Sequence, residues 1–150
     1  MNEENAVEIL IVEDTPEDLE LALRALRKAN LTNRIQIVRD GAEAMEFIFA
    51  EGKHRGRKIE DGPKVVLLDL KLPKIDGMEV LRRIKSDPRT KTIPVVVLTS
   101  SKEQKDVVES YQLGVNSYIV KPVNFERFAA AVQDLGMYWL LLNQPPKLDG

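Results

Sequence analysis

The chain has 150 residues, 43% hydrophobic and 31% charged, which fits one globular domain with a sizeable core. With 22 basic and 24 acidic residues the formal net charge is −2, so no general pull toward nucleic acid or acidic membranes is expected. Cysteine is absent, which excludes disulfides and thiolate metal sites; no apolar run is long enough to cross a bilayer, and the acidic start Met1-Asn2-Glu3-Glu4-Asn5 lacks the basic region of a signal peptide, so a cytoplasmic location is the default expectation.

Val7 to Val12 (VEILIV) reads as a short strand ending at Glu13-Asp14. Thr15-Pro16-Glu17-Asp18 then opens a helix, with Thr15 able to cap, Pro16 suited to the first helical position and Asp18 completing an acidic first turn. Leu19, Ala22, Leu23, Leu26 and Ala29 give that helix one apolar face. Arg34 to Arg39 alternates like a strand, and Asp40 caps a helix carrying Ala44, Met45, Ile48 and Phe49. The polar, basic stretch Glu51 to Asp61 reads as an exposed loop; His54 within it is expected to be solvated, and the cluster Lys53–Lys58 is too short and too poor in aromatics for a nucleic-acid site.

Lys64 to Leu68 is a continuous β-rich run that stops at Asp69. A loop with Pro73 and Gly77, the glycine read as permitting a turn, leads to a helix bearing Val80, Leu81 and Ile84. Ile93 to Leu98 forms a buried strand ending at Thr99. Ser100 and Glu103 have capping-box spacing before a helix with Val107, Val108 and Tyr111 that ends at Gly114. Ser117 to Val120 is a short strand ending at Lys121-Pro122, and Asn124 caps a last helix with Phe125, Phe128, Ala129, Val132 and Leu135 on one face.

Five apolar strands alternating with five helices predict an α/β fold: a doubly wound parallel sheet covered on both sides, with the flavodoxin-like strand order 2-1-3-4-5. Residues 6–142 form the expected domain, between a flexible start at 1–5 and a frayed tail at 143–150. In an open parallel sheet ligands bind beyond the carboxyl ends of the strands. Those ends carry Glu13 and Asp14, Asp69, Thr99 and Lys121, so three acids, a hydroxyl and an amine are expected to share one pocket. Clustered carboxylates raise one another's pKa values, a strain that a divalent cation relieves, and hard oxygen donors suit Mg²⁺. A carboxylate can also act as a nucleophile toward phosphorus, in a reaction that needs chiefly positioning and charge neutralisation.

These residues give the sequence a close resemblance to the receiver domain of two-component response regulators. The matching segments are Glu13-Asp14 in IVEDTPED, Asp69 in VVLLDLKLPKIDG, Thr99 in VVVLTSS and Lys121-Pro122 in YIVKPV. The resemblance implies that Asp69 is the phosphoacceptor. It also implies that Asp14, Asp69 and the Lys71 carbonyl ligate Mg²⁺ while Glu13 acts through water, that Thr99 and Tyr118 form a switch pair, and that the Lys121-Pro122 bond is cis. Its implied partner is a sensor histidine kinase. Within the family, the Glu51–Asp61 insert, the VLTSS segment and the ending LGMYWLLLNQPP most resemble the single-domain regulators of bacteriophytochromes and related kinases.

Three other readings compete. An enzyme working through an aspartyl intermediate often carries a second acid two residues after the nucleophile, where this chain has Lys71. A nucleotide- or flavin-binding module would need a phosphate cradle, but the first turn EDTPED is acidic and lacks glycine. A non-phosphorylated receiver used only as a binding module is the alternative that stays closest to the sequence. Phosphorylation is expected to bias the face built from the fourth helix, fifth strand and fifth helix, and with no further domain after residue 142 the output is expected to be protein contact. Met137, Tyr138, Trp139, Leu140, Leu141 and Leu142 are apolar all round, which implies a second surface: a homodimer first, a kinase contact second, or a fold back onto the domain.

Overall fold

The computed structural model describes residues 7–28, 34–122, 124, 126–127 and 130. Five parallel strands stand in the order β2-β1-β3-β4-β5: β1 Ile9–Val12, β2 Ile35–Val38, β3 Val65–Leu68, β4 Val95–Thr99 and β5 Ser117–Val120. Between them run α1 (Pro16–Lys28), α2 (Gly41–Ile48), α3 (Gly77–Ser86) and α4 (Gln104–Leu113). The expected order and alternation are therefore observed. Of the expected fifth helix, Glu126, Arg127 and Ala130 are helical, and the Arg127 N–H donates to Asn124 Oδ1 at 3.1 Å as a cap requires. The rest of that helix, the apolar segment with Met137, Tyr138, Trp139 and Leu141, and the two expected tails lie outside the described residues.

Alternation along the strands divides the core in two. Leu10, Val12, Val66, Leu68, Val95 and Val97 face one way, against α2 and α3. Ile9, Ile11, Val65, Leu67, Val96 and Leu98 face the other way, against Leu19, Ala22, Ala25 and Leu26 of α1. Both faces of the central strands are thus dry, which is why they read as unbroken apolar runs rather than alternating ones. At roughly 1.5–3 kcal/mol per fully buried aliphatic side chain, these two layers supply the stability that offsets the cost of burying charges at the sheet's rim.

Several local expectations need correction. Strand β4 starts at Val95, two residues later than Ile93, because Pro94 has no N–H to give the ladder; its carbonyl still accepts from Val66 at 2.9 Å. Helix α4 begins at Gln104 without the capping box from Ser100. Its N-cap is Glu103, with no side-chain cap; Ser101 steadies the approach to the helix instead, its Oγ accepting from the Glu103 N–H at 3.3 Å and donating to Asp106 Oδ2 at 2.6 Å. The helix is also rotated from the expected face: Val108 and Tyr111 are exposed, Ser110 is fully buried, and Leu113, three residues on, packs against the core.

The insert between α2 and β3 contains two 3-10 turns, Gly52–His54 and Ile59–Asp61. It is pinned to α2 rather than free in solvent. The Arg57 guanidinium lies 4.0 Å from the Phe47 ring centroid and donates to the Phe47 and Asp61 carbonyls, and Lys53 pairs with Glu43. His54 is half-buried, edge-on to Phe47 with centroids 5.0 Å apart, so it is not the solvated side chain expected. Among the described residues, no helix is long and apolar enough to cross a membrane.

Candidate functional site

The register of the sheet decides which polar residues meet. Val12 pairs with Leu68, so β1 and β3 end level, and the next residues continue the ladder: Asp69 N–H donates to the Val12 carbonyl at 3.1 Å and Glu13 N–H to Val38 at 3.0 Å. On the other side Thr99 pairs with Val120, and the Lys121 N–H donates to the Thr99 carbonyl at 2.8 Å. Glu13, Asp69, Thr99 and Lys121 are therefore carried to one mouth by backbone hydrogen bonds alone. The Lys121-Pro122 bond is cis, as the resemblance implied.

Glu13, Asp69 and Thr99 are almost fully enclosed, at 4%, 5% and 0% exposure. Glu13, Asp14 and Asp69 each offer a carboxylate oxygen, all within 4.8 Å of one another, with Asp14 on the more open side. Facing them is the Lys121 ammonium, its side chain 8% exposed and its Nζ 2.8 Å from each of Glu13 Oε1, Asp69 Oδ2 and Asp18 Oδ2. Three donors meet three carboxylates, so the ammonium has no hydrogen-bonding capacity left. Burial works against the charged ammonium, but the bonds to Asp18, Asp69 and Glu13 outweigh it and hold its pKa above the ordinary lysine value.

The excess of negative charge appears at Glu13. Burial first, then the neighbouring Asp69 charge, pushes its carboxyl up to about 7 despite the bonds from Lys121 and from the Thr15 N–H. The other oxygen of Asp69, Oδ1, accepts from the Lys71 N–H at 3.1 Å, which fixes the carboxylate plane. Gly77 is required for that loop, though for a reason other than turn geometry: a Cβ there would lie 2.2 Å from the Asp69 carbonyl oxygen and 2.5 Å from Leu70 Cα. The β3–α3 loop can thus close over Asp69 only on a glycine. An uncompensated, all-oxygen donor set of this size fits a hard divalent cation.

A second network leaves the site toward α4. The Ser101 N–H donates to Thr99 Oγ1 at 3.3 Å, and the Ser101 carbonyl accepts from the Tyr118 hydroxyl at 3.0 Å. Burial raises the Tyr118 pKa, so the phenol keeps its proton and donates it to that carbonyl. The sequence reading anticipated Thr99 and Tyr118, and the structure joins them through Ser101, a residue it had passed over. Asp18, read from the sequence only as part of an acidic first turn, lies in the first turn of α1 and reaches the Lys121 ammonium.

Residues 9–133 match the family model for the response regulator receiver domain. The chain belongs to the response regulator receiver family. Among solved structures, the bacteriophytochrome response regulator RtBRR is similar at a TM-score of 0.81 and 54% identity, over 93% of this chain and 84% of that one. Response regulator Rcp1 of Synechocystis sp. is 42% identical over 132 residues, 88% of each chain, and its Mn²⁺-bound structure has a TM-score of 0.76. The probable methanogenesis regulatory protein FilR2 of Methanothrix harundinacea is 43% identical over 139 residues, 92% of this chain and 86% of the relative. The chain is thus a response regulator receiver, a phosphorylated signalling domain rather than a classical enzyme; receiver domains interact with histidine kinases and bind Mg²⁺ in an acidic pocket, and this chain carries the acidic cluster Glu13, Asp14 and Asp69.

Proposed function

We propose that this receiver accepts a phosphoryl group on Asp69 and passes the change to the α4–β5 face. One observation carries the assignment: Asp69 is the buried acid that has one oxygen fixed by the Lys71 N–H and the other by the Lys121 ammonium. Asp14, Asp69 and the Lys71 carbonyl would hold Mg²⁺ directly and Glu13 through water; when bound, the ion supplies positive charge against the oxygens of the transferred group. An Asp69 oxygen attacks the phosphorus of the kinase's phosphohistidine. The O–P bond forms as the P–N bond breaks, and the electron pair leaves with the imidazole, which then takes up a proton. Lys121 meets a phosphoryl oxygen, and water later hydrolyses the acyl phosphate. The same acceptor chemistry with a small phosphodonor would allow phosphorylation without a kinase.

The product adds about 1.5–2 negative charges where charge is already in excess. The Thr99 hydroxyl, released from the Ser101 N–H, donates to a phosphoryl oxygen. Because Ser101 also anchors Tyr118 and, through its Oγ, Asp106 of α4, movement of Thr99 reaches both elements of the signalling face. The similarity to a bacteriophytochrome regulator supports a phytochrome-type sensor kinase as partner, and hence a cytoplasmic setting. The apolar segment from Met137 to Leu142 supports pairing with a second copy of the chain.

The reading is tested by incubating the protein with a small phosphodonor and Mg²⁺ and weighing it intact beside Asp69→Asn. One phosphate adduct that needs Mg²⁺ and is absent from the variant is expected; an equal adduct on the variant would move the acceptor elsewhere. Sizing the same samples tests the dimer.

A further inference from the structure

Asp18 stands apart from the cation-binding cluster, yet it is one of three residues that hold the site's ammonium. The pair joins residues 103 positions apart, from the first turn of α1 to the end of β5, at 2.8 Å. The other two oxygens on Lys121 belong to Glu13 and Asp69, both of which also stand in the acidic cluster; Asp18 does not. Asp18 is also the most open of the three carboxylates, with its side chain 26% exposed against 5% and 6% for Glu13 and Asp69. A cation entering the cluster competes with Lys121 for Glu13 and Asp69 but leaves Asp18 untouched.

We infer that Asp18 is a positioning residue that keeps the Lys121 ammonium at the rim of the pocket when Glu13 and Asp69 turn to a divalent cation. The inference deepens the functional reading above and rests on it. Without Asp18, an ammonium that cedes Glu13 and Asp69 has no carboxylate left and must either return to water or stay and oppose the cation. With Asp18, it keeps one of its existing bonds and remains within reach of a group attached to Asp69. The residue acts through Lys121 rather than through its own field on the cation, and that distinction can be measured.

The experiment is calorimetric titration of metal-free protein with Mg²⁺ alone, with no phosphodonor, in four forms: unmodified, Asp18→Asn, Lys121→Met and the double variant. Asp18→Asn leaves Lys121 two partners, and a thermal melt of each form confirms that it is folded. Asp18→Asn is expected to weaken Mg²⁺ binding about fivefold when Lys121 is present and less than about twofold when it is replaced by Met, a coupling in the usual range for groups in direct contact. Glu17→Gln removes an exposed charge from the same turn and is expected to change binding by less than about twofold. An equal loss in both Lys121 backgrounds would show that Asp18 acts by its field and overturn the inference, as would no loss in either. If the unmodified protein failed to bind Mg²⁺ at all, the functional reading would fall first and the inference with it.

Discussion

Leu67 and Asp69 lie two residues apart on one strand line, both almost fully enclosed at 1% and 5% exposure, yet they stay folded for opposite reasons. Leu67 sits among Ile9, Ile11, Val96 and Leu98, where every neighbour gains from excluding water. Asp69 sits among carboxylates, and the sheet tolerates it because one lysine from the far end of the chain is wedged between them. The interior is held by many small, interchangeable contacts. The mouth is held by a few strong ones whose balance a cation or a phosphoryl group can shift, and that is what makes it a switch.

The comparison is broken most severely from below. Leu67→Ala is expected to cost about 4 kcal/mol, the transfer term plus a cavity that close-packed strands cannot collapse, and chemical denaturation should find the same loss with or without Mg²⁺. Lys121→Met is expected to cost about 3 kcal/mol in metal-free protein at neutral pH, because Glu13 and Asp69 then face each other without a counter-charge. Saturating Mg²⁺ should restore most of that loss, and the same melts repeated with the ion decide it. A deficit indifferent to Mg²⁺ would mean that the mouth is held by packing, like the core.

The smallest effect is also the most specific. The Glu13 carboxyl is raised from 4.5 to about 7, so the folded chain holds that proton more tightly than the unfolded chain does. The stability it contributes is complete below about pH 4.5 and is lost as pH rises through 7. Metal-free protein should therefore lose stability across that window, and Glu13→Gln should flatten the decline; a slope unchanged by the substitution would place the titration elsewhere.

The fold was legible because each central strand is an unbroken apolar run that ends in a polar residue, and those ends are Glu13, Asp69, Thr99 and Lys121. The alternation of elements pointed to a doubly wound parallel sheet, whereas the order 2-1-3-4-5 rested on likeness to the flavodoxin-like fold. What stayed hidden depends on how elements dock. Asp18 reads as an ordinary acidic first turn until α1 is seated beside the end of β5. Ser101 has no motif of its own and gains its role from the 3.0 Å approach of Tyr118. The face of α4 was misread because Val107, Val108 and Tyr111 have helical spacing, whereas the helix turns Ser110 and Leu113 inward. His54 looked solvated because nothing local in the sequence says that the insert folds down on Phe47.

The central claim is that the charged mouth exists to make Asp69 the acceptor. The most direct measurement is borohydride reduction of freshly phosphorylated protein, which converts an aspartyl phosphate to homoserine, followed by peptide mass mapping. Homoserine at position 69 and at no other position is the predicted result. Homoserine at Asp14, or a phosphate that survives on a serine or on His54, would contradict it.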